Sequence, residues 1–221
     1  MNACLLVLAM LQTPLDEGTF VVREDTLEVA RESFRLLHGR LARGGVGWTI
    51  ATTIRYDRTR PVVVLSPILE VTADTLPATL QYDVADPRQP VRILGELGRG
   101  RFTVRFVARA TERAREFPSG GRPVVLDDSV FALYLFAAWR ATGQAAGQLS
   151  AIVPRGLRRE TVEIQDQGLA TTTLNHAPVT LRHITVTGGP NVVVHLWLDA
   201  EARLMKVEIP SRRLSAERAP G

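Results

Sequence analysis

The sequence of 221 residues contains one cysteine, Cys4, and one lysine, Lys206, so that the other 26 of its 27 basic residues are arginines. A single cysteine excludes an intrachain disulfide framework and every zinc site that needs paired cysteines. Stability must therefore come from a buried apolar core. With 45% hydrophobic residues, the chain is long enough for one large domain or two small ones.

The sequence also lacks any apolar run of the roughly 20 residues that a membrane-spanning helix needs. The two longest runs cover residues 3–11 and 130–139. The first stops at Gln12 and has the length of the hydrophobic region of a signal peptide. We therefore predict a signal peptide over residues 1–15, no transmembrane segment, and a periplasmic or secreted protein. No basic residue precedes the run and no small-x-small cleavage site follows it, so a strand or helix of the mature fold stays the alternative.

The arginines are not concentrated in one part of the chain. The net charge is +4 and the isoelectric point is about 9.9, but basic and acidic residues alternate, as in Arg23-Glu24, Arg31-Glu32 and Arg159-Glu160. Binding to nucleic acid requires several coherent phosphate contacts from one basic face. The sequence therefore predicts no nucleic-acid partner.

Alternation of apolar and polar residues is the dominant pattern from Gly18 onward. Over residues 46–56 one face carries large apolar and aromatic side chains, and the other carries glycine, alanine, threonine and arginine. This period of two is typical of half-buried β-strands. Short turns rich in glycine, proline, asparagine and aspartate separate such stretches, which favours antiparallel pairing of successive strands.

One segment departs from this pattern. Residues 130–139 form a continuous apolar run, preceded by Asp127-Asp128-Ser129 and followed by Arg140 and Gly143. Acidic or hydroxyl residues before a helix, an arginine in its last turn and a glycine after it are typical capping signals. We predict a helix over about residues 128–142, and because it has no polar stripe, it must be buried on all sides.

These patterns predict a mainly β protein in which an antiparallel meander forms a curved sheet or open barrel around one buried helix. Residues 16–221 are predicted to be a single β-rich domain, because no flexible linker separates the strands before the helix from those after it.

The sequence contains no nucleophile elbow, phosphate-binding glycine loop, metal-protease helix or paired-cysteine site. His183 and His195 flank the turn at residues 188–191, and a hairpin there places them nearly opposite each other, with His176 one strand earlier. With a carboxylate they would suit a metal or a hydrolase, and otherwise they are ordinary packed or surface histidines. Asp127 and Asp128 suit a general acid and base, or the helix caps already described. No cofactor is predicted.

Five aromatic residues are candidates for lining an apolar ligand cavity, because a curved sheet around a helix leaves space at its mouth. They are Trp48, Tyr82, Phe106, Trp139 and Trp197. Ordinary packing in the core is the alternative interpretation.

Two longer motifs carry a resemblance to known proteins. The stretches LDDSVFALYLFAAWR, residues 126–140, and VVVHLWLDAEARLMKVEIP, residues 192–210, resemble a class of bacterial exported domains of unknown function. The overall plan is similar to the open β-barrel of the periplasmic lipoprotein-localisation carriers, whose curved sheet shelters acyl chains. Ala202 stands where a glycine is usual in the second motif. The resemblance implies a fold and a ligand class, and no catalytic residue carries over.

Taken together, these features predict an exported envelope protein that binds a hydrophobic small molecule or lipid within a curved sheet and is not an enzyme. A hydrolase that uses His183 and His195 with a carboxylate is one alternative. A structural module that binds an envelope protein partner through an exposed sheet edge is the other.

Overall fold

The structure is a computed structural model that describes residues 13–220. Residues 1–12, which carry most of the predicted signal peptide, lie outside the described part, so that prediction stays a prediction. The strands are β1 (Asp16–Glu24), β2 (Leu27–Arg40), β3 (Val46–Tyr56), β4 (Val63–Thr72), β5 (Pro77–Ala85), β6 (Val91–Gly98), β7 (Arg101–Ala108), β8 (Thr111–Pro118), β9 (Val124–Val125), β10 (Gly147–Val153), β11 (Arg158–Leu174), β12 (Ala177–Gly188), β13 (Val193–Leu198), β14 (Leu204–Ile209) and β15 (Leu214–Arg218).

All fifteen strands belong to one curved, unclosed sheet. One edge is β8, and the order runs back through β7 to β1, crosses to β15, and continues through β14 to β10 and β9. Neighbouring strands are antiparallel except β9 and β10, which are parallel. The predicted mainly β fold is confirmed. Two meanders, one before and one after the helix, meet where β1 pairs with β15.

The helix lies inside this curve. A 3₁₀ turn (Ala132–Tyr134) leads into α1 (Leu135–Ala141), so the helical segment begins four residues later than predicted. Its end matches the prediction, with Arg140 in the last turn and Gly143 in the left-handed conformation at φ +78°.

The helical segment is buried by both meanders. Residues 130–138 are each at most 2% exposed, and their side chains share one hydrophobic core with residues of β1 to β7 and of β10 to β15. The segment contacts β3 on one side and β11 and β12 on the other. Each large apolar side chain buried here contributes roughly 1.5–3 kcal/mol. The space between the sheet and the helix is therefore filled by packed side chains.

The prediction that Asp127, Asp128 and Ser129 cap the helix is wrong. The Asp127 Oδ1 atom accepts the Ser129 N–H at 2.9 Å, and the Asp128 carboxylate accepts the Ser129 hydroxyl. The first N–H groups of the helical segment instead bind Glu32 of β2. Its carboxylate accepts the N–H of Phe131 at 2.8 Å and that of Ala132 at 3.0 Å.

Glu32 is fully buried, and the Thr52 hydroxyl also donates to it at 2.8 Å. Burial raises the pKa of Glu32 to about 7, although these three hydrogen bonds favour the charged form. The unfolded chain has the ordinary pKa of about 4.5. Between these two values the folded state binds more protons, so the contribution of Glu32 to stability is full below about pH 4.5 and decreases as the pH rises towards 7.

We predict that Glu32→Gln removes this pH dependence. When the pH is lowered from about 8 to about 4.5, the free energy of unfolding of the wild type should rise by about 3 kcal/mol relative to that of the variant. One unit of pKa shift corresponds to about 1.4 kcal/mol. Urea denaturation across this range measures the difference. Glu28→Gln, at a partly exposed position of the same strand, is the matched control and should keep the pH dependence of the wild type. Parallel curves for the wild type and Glu32→Gln would contradict the prediction.

Candidate functional site

The five candidate aromatic residues do not form one cluster. Trp48, Tyr82 and Phe106 lie on strand positions that face the concave side, and Trp139 lies on α1. Trp197 alternates with the buried Val194, Leu196 and Leu198 and therefore faces the convex side. Tyr82 is fully buried and donates its hydroxyl to Asp127 at 3.1 Å. The Arg113 guanidinium lies over the Phe106 ring, 4.9 Å from the ring centre, in a cation–π contact.

Trp48 and Trp139 are brought together at the carboxyl end of the helix. Their ring centres lie 5.0 Å apart in an edge-to-face arrangement, and the ring of Phe136 lies 5.5 Å from that of Trp139. The indole N–H of Trp139 donates to the Ala202 carbonyl at 2.8 Å. Unlike the rest of the apolar run, Trp139 is partly exposed. These contacts hold the ring in place at the end of the core.

Trp139 lines an open cleft of about 590 Å³ at this end of the curved sheet. Its walls come from the turn after β4, the loop after β8, the end of α1 and the beginning of β10. Besides Trp139 they comprise Asp74, Thr75, Gly121, Arg122, Arg140, Thr142, Gln144, Gln148 and Leu149. The volume lies within the range of roughly 300–1,000 Å³ that is usual for small-molecule sites. We call this site the Trp139 cleft.

Arg140 is the half-buried cation of the Trp139 cleft. Its Nε–H donates to the Thr75 hydroxyl at 2.6 Å, and its terminal N–H groups donate to the carbonyl oxygens of Thr75 and Arg122. The pKa of Arg140 is lowered to about 10, mainly by burial. The positive charge of Arg122 also lowers this pKa, and its effect is larger than the opposite effect of the negative charge of Asp74. Within residues 13–220, no carboxylate oxygen lies within 4.0 Å of its guanidinium nitrogens. Arg122 differs, because it has Asp74 at 3.6 Å.

The opposite end of the helix holds a buried ion pair. Asp127 is fully buried and accepts two hydrogen bonds from Arg155, each of 2.8 Å. Burial raises the pKa of Asp127, and the charge of Arg155 opposes that shift. Asp128 also contacts Arg155. Both carboxylates are thus bound to an arginine that connects the helix start to the end of β10, an arrangement that supports a structural role for the pair.

His183 and His195 lie side by side on the convex face. His183 Nε2 and His195 Nδ1 are 2.9 Å apart, so the N–H of one ring donates a hydrogen bond to the unprotonated nitrogen of the other. The His183 ring stacks on Trp197 with 4.2 Å between ring centres, and the Trp197 indole donates to Glu208 at 2.8 Å. Glu208 also pairs with Lys206 at 2.9 Å.

The other two histidines lie elsewhere. His176 is exposed in the β11–β12 turn, and His38 packs against Trp48. In the part of the chain that the structure describes, no group of three histidine, cysteine or acidic residues is arranged to hold a metal ion. Over the same residues, no hydroxyl group hydrogen-bonds to His183 or His195, so the pair has no activated nucleophile beside it.

Comparison with known proteins adds no family. No protein-family model, no curated protein and no solved structure matches this chain. Among the described residues, no helix has the length and apolar character needed to cross a bilayer.

Two residues with central positions in the structure, Glu32 and Arg140, are not among the candidates that the sequence patterns indicate. Glu32 shares a strand face with Ala30, Phe34 and Leu36, so a charge on an otherwise apolar face was a visible signal. The sequence pattern marks Arg140 only as a residue that favours a helix end. That no carboxylate of residues 13–220 contacts its guanidinium depends on how distant turns meet, and no local pattern indicates it.

We predict that the histidine pair makes the fold sensitive to acid. Burial, and then the proximity of His195, lowers the pKa of His183 below its ordinary 6.5. Below about pH 6.5 the unfolded chain therefore binds more protons at His183 than the folded one, so the contribution of His183 to stability decreases as the pH falls. When the pH is lowered from about 7.5 to about 5.5, the free energy of unfolding of the wild type should fall relative to that of His183→Gln, since both proteins share the opposite contribution of Glu32. His176→Asn is the control for an exposed histidine, and an unchanged difference between His183→Gln and wild type across this range would refute the effect.

Proposed function

We propose that this chain is an exported, non-enzymatic binding protein of the cell envelope that holds a hydrophobic ligand in the Trp139 cleft. The observation that supports this proposal is the partly exposed Trp139 ring in the wall of a 590 Å³ cleft. Trp48 and Phe136 hold that ring from behind. Rigid aromatic rings with one accessible surface are typical of sites that bind apolar molecules.

The packed core decides where such a ligand binds. A ligand between sheet and helix would have to displace side chains that are at most 2% exposed. Packing at the density of protein interiors makes that displacement costly. The end of the helical segment is different, because Trp139 and Arg140 are the first residues after Phe131–Ala138 that are not fully buried. The proposal therefore places the ligand at the mouth of the curved sheet.

Export and the relation to lipoprotein-localisation carriers belong to the same proposal. The apolar run at residues 3–11 supports export. The curved, unclosed sheet around a helix is compatible with an open barrel of the carrier type. A packed interior distinguishes this chain from a carrier whose cavity lies inside the sheet.

The three tryptophans allow a direct test. The neutral apolar probe N-phenyl-naphthylamine should quench Trp139, because it binds against that ring, and leave Trp197 on the convex face unaffected. We expect Trp197→Phe to keep the probe affinity, and Trp139→Ala to lower it by at least about tenfold, which corresponds to about 1.4 kcal/mol. Fluorescence titration of the full chain measures both. Unchanged affinity in Trp139→Ala, or equal losses in the two variants, would exclude this cleft as the binding site.

A hydrolase is the second candidate, favoured by the placement of His183 and His195 on one face near Glu208. Among residues 13–220, no hydroxyl group hydrogen-bonds to either histidine, so this hydrolase would have to activate a water molecule instead. Hydrolysis of p-nitrophenyl butyrate by wild type and by His195→Gln tests it. The binding-protein proposal predicts equal background rates for both proteins, whereas a loss of at least about tenfold in the variant would favour the hydrolase.

A module that binds a protein partner by strand addition receives less support. The exposed edge strand β8 carries Glu112, Arg113, Arg115 and Glu116, and such charged side chains discourage pairing with another strand. Arg115 also donates to the Leu157 carbonyl at 2.9 Å, which ties this edge to the second meander.

A further inference from the structure

We propose that the ligand of the Trp139 cleft is an anionic amphiphile, whose carboxylate or phosphate head binds Arg140 while its apolar chain packs against Trp139 and Leu149. This inference rests on the proposed function and deepens it, because it names the class of ligand. It also assigns to Arg140 a binding role beyond its contacts with the neighbouring turns.

Arg140 is the half-buried cation of the Trp139 cleft. A half-buried guanidinium is stabilised by acidic partners, and the other arginines of comparable burial have them: Arg155 binds Asp127, and Arg218 binds Asp16. Within residues 13–220, the hydrogen-bond acceptors of Arg140 are all neutral oxygens, from Thr75 and Arg122. A cation partly removed from water with no carboxylate in direct contact is costly, so an anion bound in the cleft is favoured.

The wall around Arg140 contains a second arginine, Arg122, and an acidic residue, Asp74. Arg122 lines the same wall, and its positive charge repels that of Arg140. Asp74 compensates Arg122 only in part, through a pair of 3.6 Å between exposed side chains. The cleft wall thus keeps an excess of positive charge. Guanidinium groups bind carboxylate and phosphate with paired, charge-assisted hydrogen bonds, which suits an oxyanion head group.

The Trp139 cleft also has an apolar part, which suits an apolar chain of the ligand. Trp139 and Leu149 line the same cleft and are both partly exposed. Trp139 is adjacent to Arg140 in the chain, so an apolar surface and a cationic group meet within one site. A free inorganic anion would use only the cationic part, and a neutral lipid only the apolar part. A molecule with both an anionic head and an apolar chain uses the whole cleft.

The test compares head groups on one chain length. Decanoate, decyl phosphate and decanol are titrated against the full chain, with displacement of N-phenyl-naphthylamine as the signal. We expect at least one of the two anions to bind at least about tenfold more tightly than decanol, and this ratio to fall as salt is added. The stronger of the two anions identifies the head group as carboxylate or phosphate.

Arg140→Gln should bring the affinity for the anions down to that for decanol and leave decanol binding unchanged. Arg92→Gln, which removes an exposed arginine paired with Asp83 on β5, is the matched control and should behave as the wild type. If Arg140→Gln does not fold, which circular dichroism shows, the head-group comparison and its salt dependence in the wild type still decide the question.

The outcomes separate the two proposals. Equal binding of all three compounds, or tighter binding of decanol, overturns the anionic class and leaves apolar binding in place. Binding of none of them, together with no binding of the probe, overturns the proposed function itself. A preference for anions that survives in Arg140→Gln and at high salt also overturns the role of Arg140.

Discussion

The fold depends on hydrogen bonds to the beginning of an apolar helix that lies where water does not reach. Backbone N–H groups at a helix start have no partner within the helix, and leaving them unpaired in an apolar interior costs about 1–3 kcal/mol each. Glu32 supplies acceptors to Phe131 and Ala132 from the first meander. Asp127, paired with Arg155 from the second meander, fixes the residues just before them. Two buried carboxylates thereby connect both meanders to one helix.

This arrangement explains why the sheet encloses the helix and why the enclosed space is full. The helical segment has no polar stripe, so every side of it must meet apolar side chains. A sheet of fifteen strands supplies them by curving from β2 and β3 around to β11 and β12. A helix that fills the concave side leaves binding sites only at the ends or on the outside of the sheet.

The local patterns of the sequence were sufficient to predict the strands and the burial of the helix. Strand β3 has the bounds that its alternation indicated, and residues 130–138 of the apolar run are buried as its composition required. The beginning of the helix could not be predicted from Asp127 and its neighbours, because the acceptor that binds its N–H groups, Glu32, is about 100 residues away in the chain. Capping signals describe only local partners.

In the candidate site too, neighbouring residues in the sequence indicate some features, whereas others depend on tertiary packing. The pairing of His183 with His195 followed from the turn between them, and the structure places the two on one face. The residue type alone marks the aromatic candidates, but the position of each one in the alternation along its strand decides which face of the sheet it lies on. Trp197 alternates with Val194, Leu196 and Leu198, a pattern visible in the sequence that indicates the convex face. The proximity of Trp48 to Trp139 depends on tertiary packing and had no local signal.

The two ends of the helix differ in how their charges are balanced, and this difference bears on function. At the start, Asp127 and Arg155 neutralise each other, so that end needs no further partner. At the end, Arg140 satisfies neutral oxygen acceptors of two turns but meets no carboxylate within residues 13–220. Asp74 lies in one of those turns, but its carboxylate pairs with Arg122 at 3.6 Å and not with Arg140. The guanidinium of Arg140 lies beside the accessible face of Trp139, where a ligand can place a carboxylate or phosphate in direct contact with it.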